Sequence, residues 1–215
     1  MTEPAWNELR LEDCRQALEK NGFRAWVARS KEKALDLVRE NYLSDGHITS
    51  ASWGDSLTAE DLGVVDLVRN ARGVDFIETF DSTAGQDVIL ERRKQALLTD
   101  LFIAGTNAVT LDGALVNLDM VGNRITGIMF GPKQVLLCIG ANKIVPDLEA
   151  AMARVKEVAA TQNALRHLCK TPCVKTGRCM DCKSPDRICN TWSIIERCHP
   201  RGRIGVILVD QNLGL

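Results

Sequence analysis

The sequence lacks several features that would assign it to a common functional class. No stretch approaches the roughly 18 uninterrupted apolar residues of a membrane-spanning helix. The formal net charge is −1, whereas a dedicated nucleic-acid binder needs excess Lys and Arg to displace phosphate counterions. Residues 1–8 have neither the basic nor the apolar region of a secretion signal. We therefore expect a cytoplasmic protein that contacts neither membrane nor nucleic acid.

Familiar nucleotide-binding and catalytic signatures are missing as well. There is no nucleotide fingerprint, because neither a G-x-G-x-x-G loop nor a Walker A sequence is present. There is also no convincing Ser-His-Asp or Cys-His order, so spacing alone predicts no catalytic residue. Internal repeats and low-complexity linkers are absent too, and a single domain over residues 1–215 is the economical interpretation.

The remaining pattern alternates between helical and strand periods, which is typical of an α/β sheet. It predicts helices over residues 5–20, 30–42, 86–98 and 147–165, and one opening with a capping box at Thr58 and Asp61. It predicts strands over residues 23–28, 47–53, 74–78, 101–110, 135–140 and 204–210. Asp112-Gly113 predicts a hairpin with a two-residue turn.

Five cysteines interrupt this pattern, in a segment with few other hydrophobic residues. Their spacing is Cys169-x3-Cys173-x5-Cys179-x2-Cys182-x6-Cys189. Four thiolates can close a tetrahedral zinc site or hold an iron–sulfur (4Fe-4S) cluster, and the spacing does not say which four would serve. Redox-active disulfide chemistry and plain thiols are the alternatives. We predict a metal-stapled segment, because it cannot fold around a core of its own.

Charge separates this region from the rest of the chain. Residues 166–203 form a basic, Cys-rich segment carrying +6, and the other residues carry −7. Clustered cations lower thiolate pKa values and offset the charge of a thiolate-held centre. The same charge could instead receive an anionic substrate or an acidic partner protein. His167 and His199 are weaker candidates for a nitrogen ligand, and Cys14 and Cys138 are predicted to be core residues.

A second group of candidates consists of small, polar or cationic residues in loops near predicted strand ends. There the backbone can approach a ligand, and ligands of open α/β sheets bind beyond the carboxyl ends of strands. The candidate ligand-binding residues are Ser52, Gly54, Ser56, Thr106, Asn107, Asp112, Gly113, Asn117, Gly122, Asn123 and Arg124. Arg124 can pair with a carboxylate or phosphate through its planar fork. The alternative for each loop is an ordinary turn.

Several of these motifs recur in the same order in a known family. They are residues 52–58, 106–117, 122–124, 131–133, 142–145, 171–189 and 207–214. From about residue 30 onward the chain resembles the lactate-utilisation (LUD) domain family, in particular a subgroup that bears the five cysteines. Asp55 departs from the family pattern, which often has a small residue there, and Thr161 stands where proline is expected.

The resemblance implies a fold like that of ribose-5-phosphate isomerase, glucosamine-6-phosphate deaminase and CoA transferases. This fold is an α/β three-layer sandwich with a central, mostly parallel sheet. The resemblance also implies a role in iron–sulfur-dependent oxidation of L-lactate to pyruvate. The expected cofactor is an iron–sulfur cluster or zinc, and the expected partners are redox subunits and a small anionic metabolite. A homodimer stays open.

The chain lacks the ferredoxin-type run C-x2-C-x2-C-x3-C, so it looks like the small partner of such a system. Two alternatives remain. The first is an isomerase-like or CoA-transferase-like enzyme, or a binding protein, with a small phosphorylated or thioester ligand at the loops of residues 106–124. The second is an interaction module without catalytic activity.

Overall fold

The computed structural model describes residues 3–215. Met1 and Thr2, the first two of the residues 1–8 in which the sequence predicts no secretion signal, lie outside the described residues. The helices are α1 (Glu3–Lys20), α2 (Lys31–Val38), α3 (Leu57–Asp61), α4 (Val64–Arg69), α5 (Gln86–Gln95), α6 (Asn123–Met129), α7 (Leu148–Arg154), α8 (Thr161–Arg166) and α9 (Pro172–Thr176). The strands are β1 (Arg24–Ala28), β2 (Ser50–Trp53), β3 (Asp75–Ile77), β4 (Leu101–Ala104), β5 (Ala108–Thr110), β6 (Leu115–Asp119), β7 (Gln134–Gly140), β8 (Ile144–Val145), β9 (Thr191–Ile195) and β10 (Ile204–Val209).

Six strands form the central sheet in the order β1-β10-β7-β4-β2-β3, and all of its neighbouring pairs are parallel. The inner strands β4 and β10 are buried at every residue, as their continuous apolar sequences predict for strands covered on both faces. The register sets Ile103 beside Leu136 and Ile207 beside Cys138. All carboxyl ends therefore meet at one edge of the sheet.

Helices cover both faces of this sheet. On one face, Leu137 and Ile139 of β7 belong to a cluster with α1 and α6. On the other face, Leu136 and Cys138 belong to a cluster with α2, α3 and α4. Full burial of one such Leu or Ile stabilises the fold by roughly 1.5–3 kcal/mol. The predicted three-layer α/β sandwich is therefore confirmed, as are the core positions of Cys14 and Cys138.

A second sheet, in the order β8-β5-β6-β9, was not predicted. The strand predicted over residues 101–110 is wrong as one element, because the chain leaves the central sheet after β4 and enters the second sheet at β5. The hairpin at Asp112-Gly113 is confirmed, since β5 and β6 pair antiparallel. Its loop has three residues rather than two, because Ala114 pairs with Thr110 and only Gly113 of the predicted pair has a positive φ, of 86°.

Two helix predictions also need adjustment. The N-cap of α3 is Ser56, two residues before the predicted Thr58, because the Ser56 side chain accepts the Ala59 N–H at 3.2 Å. The long stretch over residues 147–165 is helical, but residues 155–160 widen into a π-helical turn. Thr161, the departure from the expected proline, donates its hydroxyl to Glu157 O at 2.6 Å at the end of that turn. Within residues 3–215, none of the helices has the length and apolar character needed to cross a membrane.

Candidate functional site

A cleft of about 510 Å³ opens at the carboxyl edge of the central sheet. Its wall combines the loops after β2, β4 and β7, the beginning of α6, residues 166–169 and the tail that follows β10. Its polar, charged and glycine lining residues include Gly54, Asp55, Ser56, Gly105, Thr106, Asn107, Asp119, Asn123, Arg124, Lys143, Asn163, Arg166, His167, Cys169 and Asp186. This is where ligands bind in open parallel sheets.

Two loops of the cleft, after β2 and after β4, need glycine at one position because neighbouring groups leave no room for a side chain. A Cβ on Gly54 would lie 2.9 Å from the Phe102 ring, and a Cβ on Gly105 would lie 2.9 Å from Ser56 Oγ. The Gly54 N–H donates to Ile103 O at 2.8 Å, which fixes the loop to the end of β4. Both loops are thus held against each other at the floor of the cleft.

Arg124 lies at the wall of the cleft and is saturated by protein acceptors. Its guanidinium donates to Asp119 Oδ1 at 2.6 Å, Asn117 Oδ1 at 2.7 Å, Asn107 Oδ1 at 2.8 Å and Gly105 O at 3.0 Å. The second Asp119 oxygen accepts the Ile125 N–H at 3.0 Å at the start of α6. Arg124 therefore ties the loops of both sheets together, and its pairing with a ligand stays a prediction.

Lys143 is the residue that sequence reasoning missed. It lines the cleft, is only 6% exposed, and Nζ donates to Thr58 Oγ1 at 3.1 Å. It forms no ion pair with an Asp or Glu of residues 3–215. Burial, with Arg154 and Arg124 nearby, lowers the pKa of Lys143 to about 7. The sequence feature that could have identified Lys143 is its position three residues after the apolar run of β7, at the carboxyl edge of the sheet.

The rim of the cleft carries an ion pair between Asp55 and Arg166. Asp55, with a left-handed φ of 53°, accepts from Arg166 Nη1 at 3.1 Å. His167 Nε2 lies 3.7 Å from the same carboxylate. Burial lowers the pKa of His167, and the Arg166 charge lowers it further. Asp55 therefore neutralises part of the basic segment where that segment meets the cleft.

The other predicted ligand-binding residues divide into two groups. Gly54, Ser56, Thr106, Asn107, Asn123 and Arg124 line the cleft. Ser52 and Asn117 are buried behind it, where Ser52 Oγ donates to Ile77 O at 2.8 Å. Gly122 precedes α6 with a positive φ. Asp112 and Gly113 lie elsewhere, against α1, where Asn21 donates to Asp112 O at 2.8 Å. The structure does not bring these two residues to the cleft.

The five cysteines also divide into two groups. Cys173, Cys179, Cys182 and Cys189 line one small pocket, of about 20 Å³. Cys169 lines the large cleft instead, and burial raises the pKa of its thiol. Ile188 lines both cavities, so the four-cysteine pocket and the cleft share a wall.

The donor chemistry of this pocket suits a metal centre. All eight cysteines carry free thiols in the described chain. Arg187 borders the pocket and donates to Cys182 O at 2.7 Å and Cys189 O at 2.6 Å, while its buried Nε has no partner among residues 3–215. Four thiols beside a cation match a thiolate-ligated group. As the side chains stand, no three His, Cys, Asp or Glu residues of the described part are grouped closely enough to hold a metal ion.

The segment is also held by protein contacts. The Lys170 N–H donates to Asp186 Oδ2 at 2.9 Å, and the Cys179 N–H donates to Glu157 Oε2 at 3.0 Å. Strand β9 then joins the second sheet by pairing with β6. These contacts tie the segment to itself and to the helical stretch over residues 147–165, and metal binding stays a prediction.

The fold and the cleft define an α/β protein with its candidate ligand site at the carboxyl edge of a parallel sheet. The family model of the LUD domain matches residues 11–209, and the chain belongs to that family. Membership supports a role related to lactate utilisation. A crystal structure of a DUF162 family protein from Deinococcus radiodurans is similar over 97% of this chain and 99% of that chain, with 14% identity and a TM-score of 0.51. A search of curated proteins found no match.

Proposed function

We propose that this protein binds a small 2-hydroxy carboxylate, L-lactate first, as a component of iron–sulfur-dependent oxidation of lactate to pyruvate. In this proposal the carboxylate occupies the cleft at the sheet edge, and Cys173, Cys179, Cys182 and Cys189 hold the metal centre. Iron–sulfur redox subunits and a cytoplasmic location belong to the same proposal. A thiolate-held cluster supplies electron transfer when it is bound.

The observation that carries the proposal is the wall shared by the two cavities. Ile188 lines both, so a ligand in the cleft lies beside the four-cysteine pocket rather than across the molecule from it. The cleft is also of metabolite size and has cationic side chains in its wall. Lys143, whose amine has no acid partner among residues 3–215, therefore suits an anion in this cleft.

The role of the protein residues follows from their contacts. Arg124 ties the loop after β4 to the end of β6, and Gly54 and Gly105 allow the loops after β2 and β4 to pack closely. Arg187 provides a positive charge beside the cysteine pocket, which would offset the negative charge of a thiolate-ligated centre. The proposal therefore assigns binding and orientation to the sheet edge and electron transfer to the Cys-rich segment.

The first experiment measures metal and acid-labile sulfide in protein purified without oxygen, together with its visible spectrum. We expect iron, sulfide and a broad absorbance near roughly 400 nm, as is usual for a thiolate-held cluster. The variant with Ser at positions 173, 179, 182 and 189 should lose the metal, whereas Cys169→Ser should keep it. Equal metal content in wild type and the fourfold variant would refute the metal part. Colourless protein with one zinc would make the segment structural.

A second candidate is an isomerase-like or CoA-transferase-like protein with a small phosphorylated or thioester ligand. The specific observation in its favour is the Lys143 amine in the cleft wall, since an ammonium group suits phosphate as well as carboxylate. Thermal-shift measurements with L-lactate, a sugar phosphate and a CoA thioester separate the candidates, because a ligand that binds the folded chain raises its melting temperature. Stabilisation by lactate alone supports the first candidate.

A further inference from the structure

Lys143 is an unusual group for a protein interior. Its side chain is almost fully buried, whereas lysine is rarely buried without a paired acid. Within residues 3–215 its ammonium group has Thr58 Oγ1 as hydrogen-bond acceptor, at 3.1 Å, and no carboxylate partner. Burying an unpaired charge in this way is costly, so the position has a reason other than stability.

The charges around Lys143 make the cost larger. Arg154 of α7 and Arg124 of α6 both repel its charged form, while Asp61 at the end of α3 and the Cys138 thiol of β7 weakly favour it. Arg154 is itself bonded to carbonyls, donating to Asn107 O at 2.6 Å and Asn142 O at 3.0 Å. Asp119, which pairs with Arg124, is the neutralising acid of this group. The cluster therefore has more buried positive than negative charge.

The tail after β10 encloses the same group. Thr58 Oγ1 also donates to Leu213 O at 3.2 Å, and Leu213 N donates to Asn142 Oδ1 at 3.1 Å. A Cβ on Gly214 would lie 3.1 Å from Lys143 Nζ. The amine is thus held by its surroundings with its access limited to the cleft, which is the condition for a strong interaction with one small ligand.

We propose that Lys143 is the anion anchor of the cleft and takes up a proton when a small carboxylate binds there. The free site holds about half of the amine neutral near pH 7 and most of it neutral above about pH 8, and the bound anion supplies the negative charge that its surroundings lack. This inference rests on the proposed function for the identity of the carboxylate, but the proton uptake is a property of the site and extends to other small anions.

The direction in which anion affinity changes with pH follows from the titration of the Lys143 amine. Burial lowers the pKa of Lys143 to about 7, so above that pH each bound anion must bring a proton with it. Affinity for the anion should fall by about tenfold per pH unit above about pH 7.5, which is the limit for linkage to one proton. Below about pH 6 the amine is already charged, and affinity should level off.

The test is calorimetric titration of the full chain with L-lactate in two buffers of different ionisation enthalpy, at about pH 8, where close to one proton should be taken up. Lys143→Arg carries a fixed charge, so it should bind without proton uptake and without this pH dependence. Lys143→Met should bind about 10–100-fold more weakly, since it loses a charge-assisted hydrogen bond. Lys94→Met, on the exposed face of α5, removes the same charge and should behave like wild type.

The outcomes separate this inference from the proposed function. Lactate binding without proton uptake, or unchanged binding by Lys143→Met, overturns the role of Lys143 and leaves the proposed function standing. If lactate fails to bind but inorganic phosphate binds with proton uptake that Lys143→Arg abolishes, the anchor is supported and the lactate function falls. If neither lactate nor phosphate binds wild type, both are overturned.

Discussion

The two edges of the central sheet differ in how a buried charged side chain is paired. At the amino edge, Asp100 precedes β4 and is 6% exposed. Its Oδ2 accepts from Thr49 N at 2.9 Å, Thr49 Oγ1 at 2.7 Å and Ser50 N at 3.0 Å. Its Oδ1 lies 2.7 Å from Lys133 Nζ. At the carboxyl edge, Lys143 is equally buried and has a hydroxyl group as its hydrogen-bond partner.

This difference indicates that the amino edge of the sheet contributes to stability, whereas the carboxyl edge suits a ligand. A fully hydrogen-bonded carboxylate holds β2 and β4 together, and the Lys133 ammonium group and these hydrogen bonds keep the pKa of Asp100 well below its usual range. A buried amine without an acid does the reverse, because its charged form is disfavoured. Perturbed groups of the second kind, facing a cleft, are typical of functional sites. Variants at the two edges should therefore change stability with opposite signs.

The largest expected effect is at the amino edge. Asp100→Asn should lower the free energy of unfolding by about 3–4 kcal/mol, because an amide nitrogen would face donors that now bind a carboxylate. Urea unfolding at neutral pH measures this loss of stability. The control is Asp66→Asn, which alters an exposed ion pair within a helix and should leave stability nearly unchanged. Since the folded pKa is depressed, this stabilisation is present above about pH 4 and is lost as the pH falls further. A cost that is independent of pH would contradict the charge as its source.

Lys143→Met should have the opposite sign. Removing the buried amine should raise the free energy of unfolding by about 3 kcal/mol at neutral pH, because the unfolded chain no longer gains by protonating it. The folded pKa of Lys143 is about 7 and the ordinary value is 10.5, so wild-type stability at this site rises with pH across that interval. The advantage of the variant should therefore shrink as the pH approaches 10.5. A variant less stable than wild type at pH 7 would remove the contrast between the edges.

Asp119→Asn tests the buried ion pair of the carboxyl edge, between Asp119 and Arg124. The substitution should cost about 2 kcal/mol, less than at Asp100, because Arg124 keeps its bonds to Asn117, Asn107 and Gly105. It should also strengthen anion binding by a few-fold, since it leaves Arg124 with an uncompensated charge beside the cleft. Urea unfolding measures the change in stability, and calorimetric titration of the same preparation measures the change in anion affinity. A loss of stability together with weaker anion binding would mean that Asp119 mainly positions Arg124.

Part of the candidate site at the carboxyl edge could be predicted from the sequence. The loop residues Gly54, Ser56, Thr106 and Asn107 follow strands of the central sheet, and the common direction of those strands brings them to one cleft. Asp112 and Gly113 could not be assigned in this way, because an apolar run does not reveal that the chain changes sheets at Gly105. The hairpin therefore lies against α1 instead of at the cleft.

Lys143 and the second sheet were missed for a related reason. Neither depends on local pattern. The charge state of Lys143 depends first on its burial and then on Arg154 and Arg124, which the fold brings near it. Likewise β9 finds its partner β6 more than 70 residues earlier in the chain. Spacing did identify the five cysteines as a group, but only the folded chain separates Cys169, in the cleft, from the four that share a pocket.

The smallest effect is expected at the rim. Asp55→Asn keeps a residue that tolerates the left-handed φ of 53°, so it changes the ion pair with Arg166 and little else. Because this pair is partly exposed to solvent, its loss should cost no more than about 0.5–1 kcal/mol. The freed Arg166 should raise anion affinity about twofold at low salt, and the gain should disappear at high salt. A salt-independent change, or a cost as large as that of Asp100→Asn, would show that the rim is part of the scaffold and that the division between the two edges does not hold.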